Sequence, residues 1–292
     1  MIDLSGLWVA LVTPFEAASP HRVDHAALRR LVQHLRSVPV SGLVALGSTG
    51  EAAALDEAEQ DAVLDTVLEA AAGLPVIAGL AGQHVGQLHA RLAAMARWPL
   101  HAVLSPAPAY VRPSQAALVQ HFLDLAERSP HPLVLYDIPY RTGVSLALET
   151  LWALADHPRI VGIKDCGGSP DKTQQLVADG RLQVLAGEDH LIFPTLCLGG
   201  AGAITAAAQV DPARFMALFA AMRQGDLARA RALHHALAPL VRALFAEPNP
   251  AVVKGVLAQQ GWCTPTVRAP LLAGSGAAVS MAVSAAFAPL RD

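Results

Sequence analysis

The sequence predicts a (β/α)8 barrel with a C-terminal helical extension. Eight short apolar runs alternate with longer amphipathic stretches. The runs are continuous Val/Ile/Leu/Ala segments, as parallel strands buried on both faces require. No Gly-rich phosphate turn follows the first run: Val12-Thr13-Pro14-Phe15 stands there instead, which disfavours a doubly wound open sheet. Eight strand–helix pairs fit a single barrel in a chain of 292 residues.

The predicted strands cover residues 7–12, 42–46, 75–79, 101–105, 133–136, 160–163, 183–186 and 203–205. Between them, Leu28, Leu31, Val32 and Leu35 repeat at i, i+3, i+4 and i+7, one face of a helix. Asp56 followed by Glu59 reads as an acidic variant of the capping box. Ser169-Pro170 supplies an N-cap with proline at the first helical position, and Pro113-Ser114 marks another helix start. The barrel domain is expected to span residues 1–224. Residues 225–292 form a helical segment packed on it, with helices at 226–245 and 250–260 and a buried helical tail over 273–290.

A chain of this length buries about three quarters of its unfolded surface and needs no covalent staple. Apolar residues make up 53% and charged residues 15%, which excludes a wholly disordered chain and a collagen-like one. The net charge is −3 and no Lys/Arg-rich run occurs, so the sequence carries no nucleic-acid footprint. It contains no stretch of roughly 18 purely apolar residues, so no membrane helix is expected. The N-terminus lacks the basic region and small-residue cleavage site of a secretory signal. Cys166, Cys197 and Cys263 are odd in number and show no C-x-x-C spacing, and the twelve histidines lack ligand spacing. A cytoplasmic protein without a metal site is the expectation.

Barrel enzymes hold their chemistry at the C-terminal ends of the strands. There the sequence places Thr13-Pro14, then Gly47-Ser48-Thr49-Gly50-Glu51, then Tyr136-Asp137-Ile138-Pro139-Tyr140-Arg141-Thr142-Gly143. Lys164-Asp165 and Gly187-Glu188-Asp189 end the sixth and seventh strands. Lys164 is one of only three lysines against eighteen arginines. A buried lysine can lose its proton and attack a carbonyl, which arginine cannot. The other reading is a strand-end lysine that extends to solvent or pairs with Asp165. Tyr136 either carries a proton relay or fills the barrel mouth. The turn at 47–50 suits a carboxylate, or is an ordinary βα loop. Arg141 offers a planar fork to a substrate carboxylate, or pairs with Asp137. Gly199-Gly200-Ala201-Gly202 precedes a strand and is no dinucleotide fingerprint.

Together these residues resemble the class I, Schiff-base aldolases of the dihydrodipicolinate synthase and N-acetylneuraminate lyase superfamily. The resemblance runs over essentially the whole chain. It rests on Gly6-x-x-x-Ala10-x-x-Thr13-Pro14-Phe15, the run at 47–51, Pro75-Val76-Ile77-Ala78-Gly79 and Tyr110-Val111-Arg112-Pro113-Ser114. It continues through Tyr136-Asp137-Ile138-Pro139-x-Arg141-Thr142-Gly143, Gly162-Ile163-Lys164-Asp165, Leu198-Gly199-Gly200-x-Gly202 and Glu247-Pro248-Asn249-Pro250.

The resemblance implies that Lys164 forms the imine with pyruvate and that Tyr136 moves protons to and from the keto carbon. Ser48 and Tyr110 complete the relay, Tyr110 reaching in from a neighbouring subunit, so a homo-oligomer, a dimer of dimers, is implied. Thr49 and the backbone at Ile204 hold the pyruvate carboxylate. No cofactor is needed, and the partners are small molecules rather than nucleic acid or membrane. Arg141, where sialic-acid lyases usually carry a non-basic residue, implies condensation with L-aspartate 4-semialdehyde in lysine and diaminopimelate biosynthesis. A related aldolase using another aldehyde, such as a sugar acid, is the alternative. A catalytically dead barrel would have lost part of the set Lys164, Tyr136, Tyr110 and Ser48; all four are present. Lysine-sensitive members resemble one another at a polar, aromatic interface pocket. Ala52-Ala53-Ala54, Glu57, Gln60 and Ala109 stand there in this chain, which implies weak or absent feedback by lysine.

Overall fold

A computed structural model describes residues 2–19 and 21–287. The strands are β1 (Gly6–Ala10), β2 (Gly42–Ala45), β3 (Val76–Gly79), β4 (Ala102–Pro106), β5 (Leu133–Asp137), β6 (Ile160–Asp165), β7 (Gln183–Ala186) and β8 (Gly202–Thr205). They close in that order into a parallel barrel. Nearly every strand residue is buried, which is why their sequences run apolar without alternation.

The helices are α1 (His25–Arg36), α2 (Glu57–Ala71), α3 (Val85–Met95), α4 (Gln115–Arg128), α5 (Pro139–Thr142) and α6 (Leu148–Ala155). They continue with α7 (Pro170–Asp179), α8 (Ile192–Cys197), α9 (Pro212–Arg223), α10 (Leu227–Leu244), α11 (Ala251–Gln259) and α12 (Gly276–Ala286). The expected start signals act as read. Asp56 and Glu59 form the reciprocal capping box of α2, and Ser169 caps α7 with Pro170 at its first turn. Ser114 caps α4, but Pro113 lies before the cap rather than in the first turn. Leu28, Leu31, Val32 and Leu35 are all fully buried.

Chain contacts define two compact units. One holds the residues up to Gly6 together with Pro75–Ile204; the other holds Leu7–Leu74 and the residues from Thr205 onward. In the first unit, parallel strand pairing runs from β3 through β8, with one register shift between β5 and β6 at Leu133/Val134. Gly202 has no room for a side chain, since a Cβ there would lie 2.1 Å from the Gly6 carbonyl oxygen. In the second unit β1 pairs with β2. The fully buried Gln209 accepts from Val12 N–H (2.9 Å) and donates to the Ala10 carbonyl (2.6 Å), anchoring the end of β1.

The C-terminal helices belong to this second unit, where α10 packs on α9 and α12. The tail departs from expectation. Over α12 only Ala278 and Ala282 are buried and Met281 is 57% exposed, because a helix of mostly alanine covers its neighbour with one narrow stripe. The end of the expected tail, residues 288–290, lies outside the described residues.

Candidate active site

The first unit brings Lys164 and Tyr136 together. They are direct register partners on β6 and β5. Lys164 Nζ sits 4.3 Å from the centroid of the Tyr136 ring, and both residues are buried. Among the described residues Lys164 makes no ion pair. Burial pushes its pKa below the ordinary lysine value. The nearby Cys166, Asp189 and Glu188 work against that shift, and the Arg141 cation adds to it. A lysine in a dry strand end, with a ring face rather than a carboxylate for company, is primed to be neutral and nucleophilic.

The two bland readings of these positions fail for a visible reason. Asp165 is taken by other donors: it accepts from Thr173 Oγ1 at 2.9 Å and Gly167 N–H at 2.8 Å. Asp137 accepts from Leu146 N–H at 3.1 Å and pairs with Lys172. So Asp165 does not pair with Lys164, nor Asp137 with Arg141. The two aspartates instead tie down the loops that leave β5 and β6. Arg141 stands exposed on the short α5.

Tyr110 is placed differently. It is 93% exposed and touches almost nothing in its own chain. Its φ is +72°, and the Val111 N–H donates to the Ala109 carbonyl at 2.8 Å across it. That is a γ-turn of the rare positive-φ kind, strained for a tyrosine. Ile204 is fully buried in β8.

In the second unit Ser48 and Thr49 lie in the turn after β2. Gly50 N–H donates to the Gly47 carbonyl (3.0 Å) and Glu51 N–H to the Ser48 carbonyl (3.2 Å). Thr13 Oγ1 donates to the Gly50 carbonyl at 2.7 Å. Thr49 is buried, and its Oγ1 accepts from Asn249 Nδ2 at 2.9 Å. With a lone pair so occupied, the Thr49 hydroxyl proton is left to point elsewhere. Glu51 is fixed by Lys254 Nζ (2.5 Å) and Arg268 N–H (2.8 Å).

Side chains in this account that had no role in the sequence reading include Asn249, Cys166 and Glu188. Asn249 lay inside a recognised motif with no side-chain role attached. Cys166 was read only as one of three unpaired cysteines, and Glu188 only as a strand-end carboxylate. Among the described residues no cluster of His, Cys, Asp and Glu could hold a metal ion.

Comparison with known proteins agrees with this geometry. The model of the dihydrodipicolinate synthetase family matches residues 3–282. The 4-hydroxy-tetrahydrodipicolinate synthase of Thermomicrobium roseum is 40% identical over 271 residues, 92% of this chain and 89% of that protein. A dihydrodipicolinate synthase structure from Bacillus anthracis superposes with a TM-score of 0.94 at 30% identity, covering 100% of both chains. A chloride-inhibited dihydrodipicolinate synthase from Acinetobacter baumannii, complexed with pyruvate, superposes with a TM-score of 0.92 at 31% identity. It covers 97% of this chain and 99% of that one. A barrel whose sixth strand ends in a buried, ring-stacked lysine is the frame of a Schiff-base lyase. The chain belongs to the dihydrodipicolinate synthetase family.

Proposed function

We propose that this chain condenses pyruvate with L-aspartate 4-semialdehyde to give 4-hydroxy-tetrahydrodipicolinate, the step that feeds lysine and diaminopimelate biosynthesis. The observation that carries it is the stacked, buried pair of Lys164 and Tyr136. Neutral Lys164 adds to the keto carbon of pyruvate. Tyr136 delivers a proton to the departing hydroxyl, water leaves, and a protonated imine remains. Loss of a methyl proton gives the enamine, whose carbon attacks the aldehyde. The amino group of the condensed product then adds to the imine carbon and displaces Lys164, closing the ring. Each step moves a proton, so a relay of hydroxyls is needed.

In this reading Ser48 and Tyr110 extend the relay from Tyr136. Thr49, with its hydroxyl proton freed by Asn249, and the backbone at Ile204 hold the pyruvate carboxylate. Arg141 holds the carboxylate of the aldehyde. The exposure and strain of Tyr110 support its use by a second copy of the chain, and hence a homo-oligomer built as a dimer of dimers. The barrel of residues 1–224 would carry the chemistry, and residues 225–292 would brace it. The unpaired cysteines suit a cytoplasmic address, and no helix of the described residues is long and apolar enough to cross a membrane.

The test is product formation from pyruvate and aspartate semialdehyde, followed by mass spectrometry of the ring product. Turnover with a sugar-acid aldehyde and none with aspartate semialdehyde would replace the substrate and keep the imine chemistry. A sedimenting, fully active monomer would overturn the shared relay.

A further inference from the structure

Side chains alternate between the two faces of a strand, so the residues that follow Tyr136 and Lys164 point away from them. Those residues, Asp137 and Asp165, are themselves register partners, and both are buried. They meet Lys172, in the first turn of α7, which pairs with Asp137 and lies 4.0 Å from Asp165 Oδ1. A cation in the first turn of a helix is disfavoured by the macrodipole, so its placement calls for another reason. Thr173 Oγ1, the next residue of α7, donates to Asp165 Oδ2 at 2.9 Å. Each carboxylate also fixes backbone: Asp137 accepts from Leu146 N–H at 3.1 Å and Asp165 from Gly167 N–H at 2.8 Å. The chain beyond β6 closes over the cluster. A Cβ on Gly167 would lie 3.0 Å from Asp165 Oδ1, 3.1 Å from Asp137 Oδ2 and 3.3 Å from Lys172 Nζ. Burial raises the pKa of Asp137, and the Lys172 ammonium is the strongest group opposing that rise. One ammonium thus ties the ends of two strands together.

We infer that Lys172 is a positioning residue for the imine chemistry: by clamping Asp137 to Asp165 it sets how Tyr136 and Lys164 face one another. The inference rests on Tyr136 and Lys164 acting as proposed above. The β5–β6 pairing already shifts register at its other end, at Leu133/Val134, so the ladder alone holds the two strands unevenly. A one-residue slip near the mouth would turn one member of the reacting pair to the opposite face. Much smaller errors matter too, since a misplacement of about 1 Å can cost on the order of a hundredfold in rate. Lys172 touches neither reacting group and works from the far face of the strands.

The experiment uses the full-length protein with pyruvate alone. Exhaustive borohydride trapping counts the competent sites. Proton NMR in deuterium oxide follows exchange of the pyruvate methyl protons, which enamine formation requires. Dividing one by the other gives a rate per competent site, which a merely structural loss leaves alone. Lys172→Met should lower that rate by about tenfold to a hundredfold. Lys172→Met/Asp137→Leu replaces the buried ion pair with apolar groups and so removes the stranded carboxylate. Its urea midpoint should return toward the wild type while its rate per site stays low, and it decides the matter if Lys172→Met does not fold. In a Tyr136→Phe background Lys172→Met should cost much less, because the hydroxyl that it aligns is gone. A rate per site within about twofold of the wild type, or full additivity with Tyr136→Phe, overturns the assignment. So does a rate that recovers together with the urea midpoint. A wild type that traps no pyruvate overturns the proposed function instead, which is a different observation.

Discussion

Two buried lysines in this molecule have opposite surroundings. Lys254, in α11, is fully buried with Glu51 Oε1 at 2.5 Å, the Thr266 carbonyl at 2.9 Å and the Phe15 ring centroid at 4.0 Å. Lys164, at the end of β6, has the Tyr136 ring and, among the described residues, no ion pair. Burial lowers the pKa of both, but at Lys254 the adjacent Glu51 pushes back, whereas only more distant groups do so at Lys164. A buried cation without a carboxylate costs several kcal/mol, so such a group gives up its proton. The first lysine is thereby a strut, and the second is the group that the proposed function uses as nucleophile. The third, Lys172, is paired with Asp137 and belongs with the strut.

The largest test of this contrast is Lys164→Arg. Guanidinium stays protonated, so pyruvate adduct formation should vanish. In the wild type, borohydride trapping should label Lys164 alone; a label on Lys254 or Lys172 sinks the contrast. The pH dependence sharpens it. Because the pKa of Lys164 is lowered, the acidic limb of kcat/KM for pyruvate should lie below the ordinary lysine range. Glu188 raises that pKa, so Glu188→Gln should move the limb to still lower pH. A limb at the ordinary lysine value would mean that Lys164 is solvated.

Next in size is the ring that faces Lys164. Tyr136→Phe keeps the stacking and loses the hydroxyl, so it should lower kcat by about 10² to 10⁴, typical of general acid–base work. Tyr110→Phe should fall in the same range. If both serve one relay, the double variant should cost little more than the worse single one. Full additivity would argue that the two hydroxyls act separately.

The strut predicts a loss of stability instead. Lys254→Met leaves Glu51 buried without its cation and should cost about 3–5 kcal/mol, read from urea unfolding. Adding Glu51→Gln should recover part of that loss, because the stranded charge is gone. Folded Lys254→Met should still form the pyruvate adduct; loss of the adduct in a fully folded variant would give Lys254 a part in the chemistry.

How much of this could be read from the sequence follows from the physics of each element. The strands were legible because parallel strands buried on both faces are continuous apolar runs; the boundaries of β7 came out as read. Strands β5 and β6 run further than their apolar stretches, through Asp137 and to Asp165, because polar residues that line a barrel mouth still make ladder hydrogen bonds. Lys164 and Tyr136 were legible as rare residues at strand ends, and the family motif then gave them roles. The pairing of Glu51 with Lys254 was not legible, since 203 residues separate them and neither has a local partner to betray the contact. Nor was the hydrogen bond from Tyr140 Oη to Glu188 Oε1 (2.8 Å), because the two residues follow different strands. The strained turn at Tyr110 has no composition signal either: its positive φ falls on a tyrosine rather than a glycine.

The smallest expected effect concerns regulation, and it contrasts the charged mouth near Lys164 with the apolar turn after β2. A site for free lysine must supply partners for an ammonium and a carboxylate, since an unmet polar group costs stability of the complex. Ala52–Ala54 form a 3-10 turn with only methyl side chains. The Gln60 amide is already spent on that turn, donating to the Ala52 and Leu55 carbonyls at 3.2 Å each. Ala109 supplies no ring face. Glu57 is exposed and could attract the ammonium, but screening by water leaves a lone surface charge worth little. Initial rates at subsaturating pyruvate should therefore be insensitive to L-lysine up to the millimolar range. Half-inhibition below about 1 mM, near −4 kcal/mol of binding, would require partners that this turn does not offer. Glu57→Ala separates the two possibilities: if the carboxylate were the anchor of a real site, the substitution would abolish inhibition. With the carboxylate no such anchor, it should leave the rates as they were.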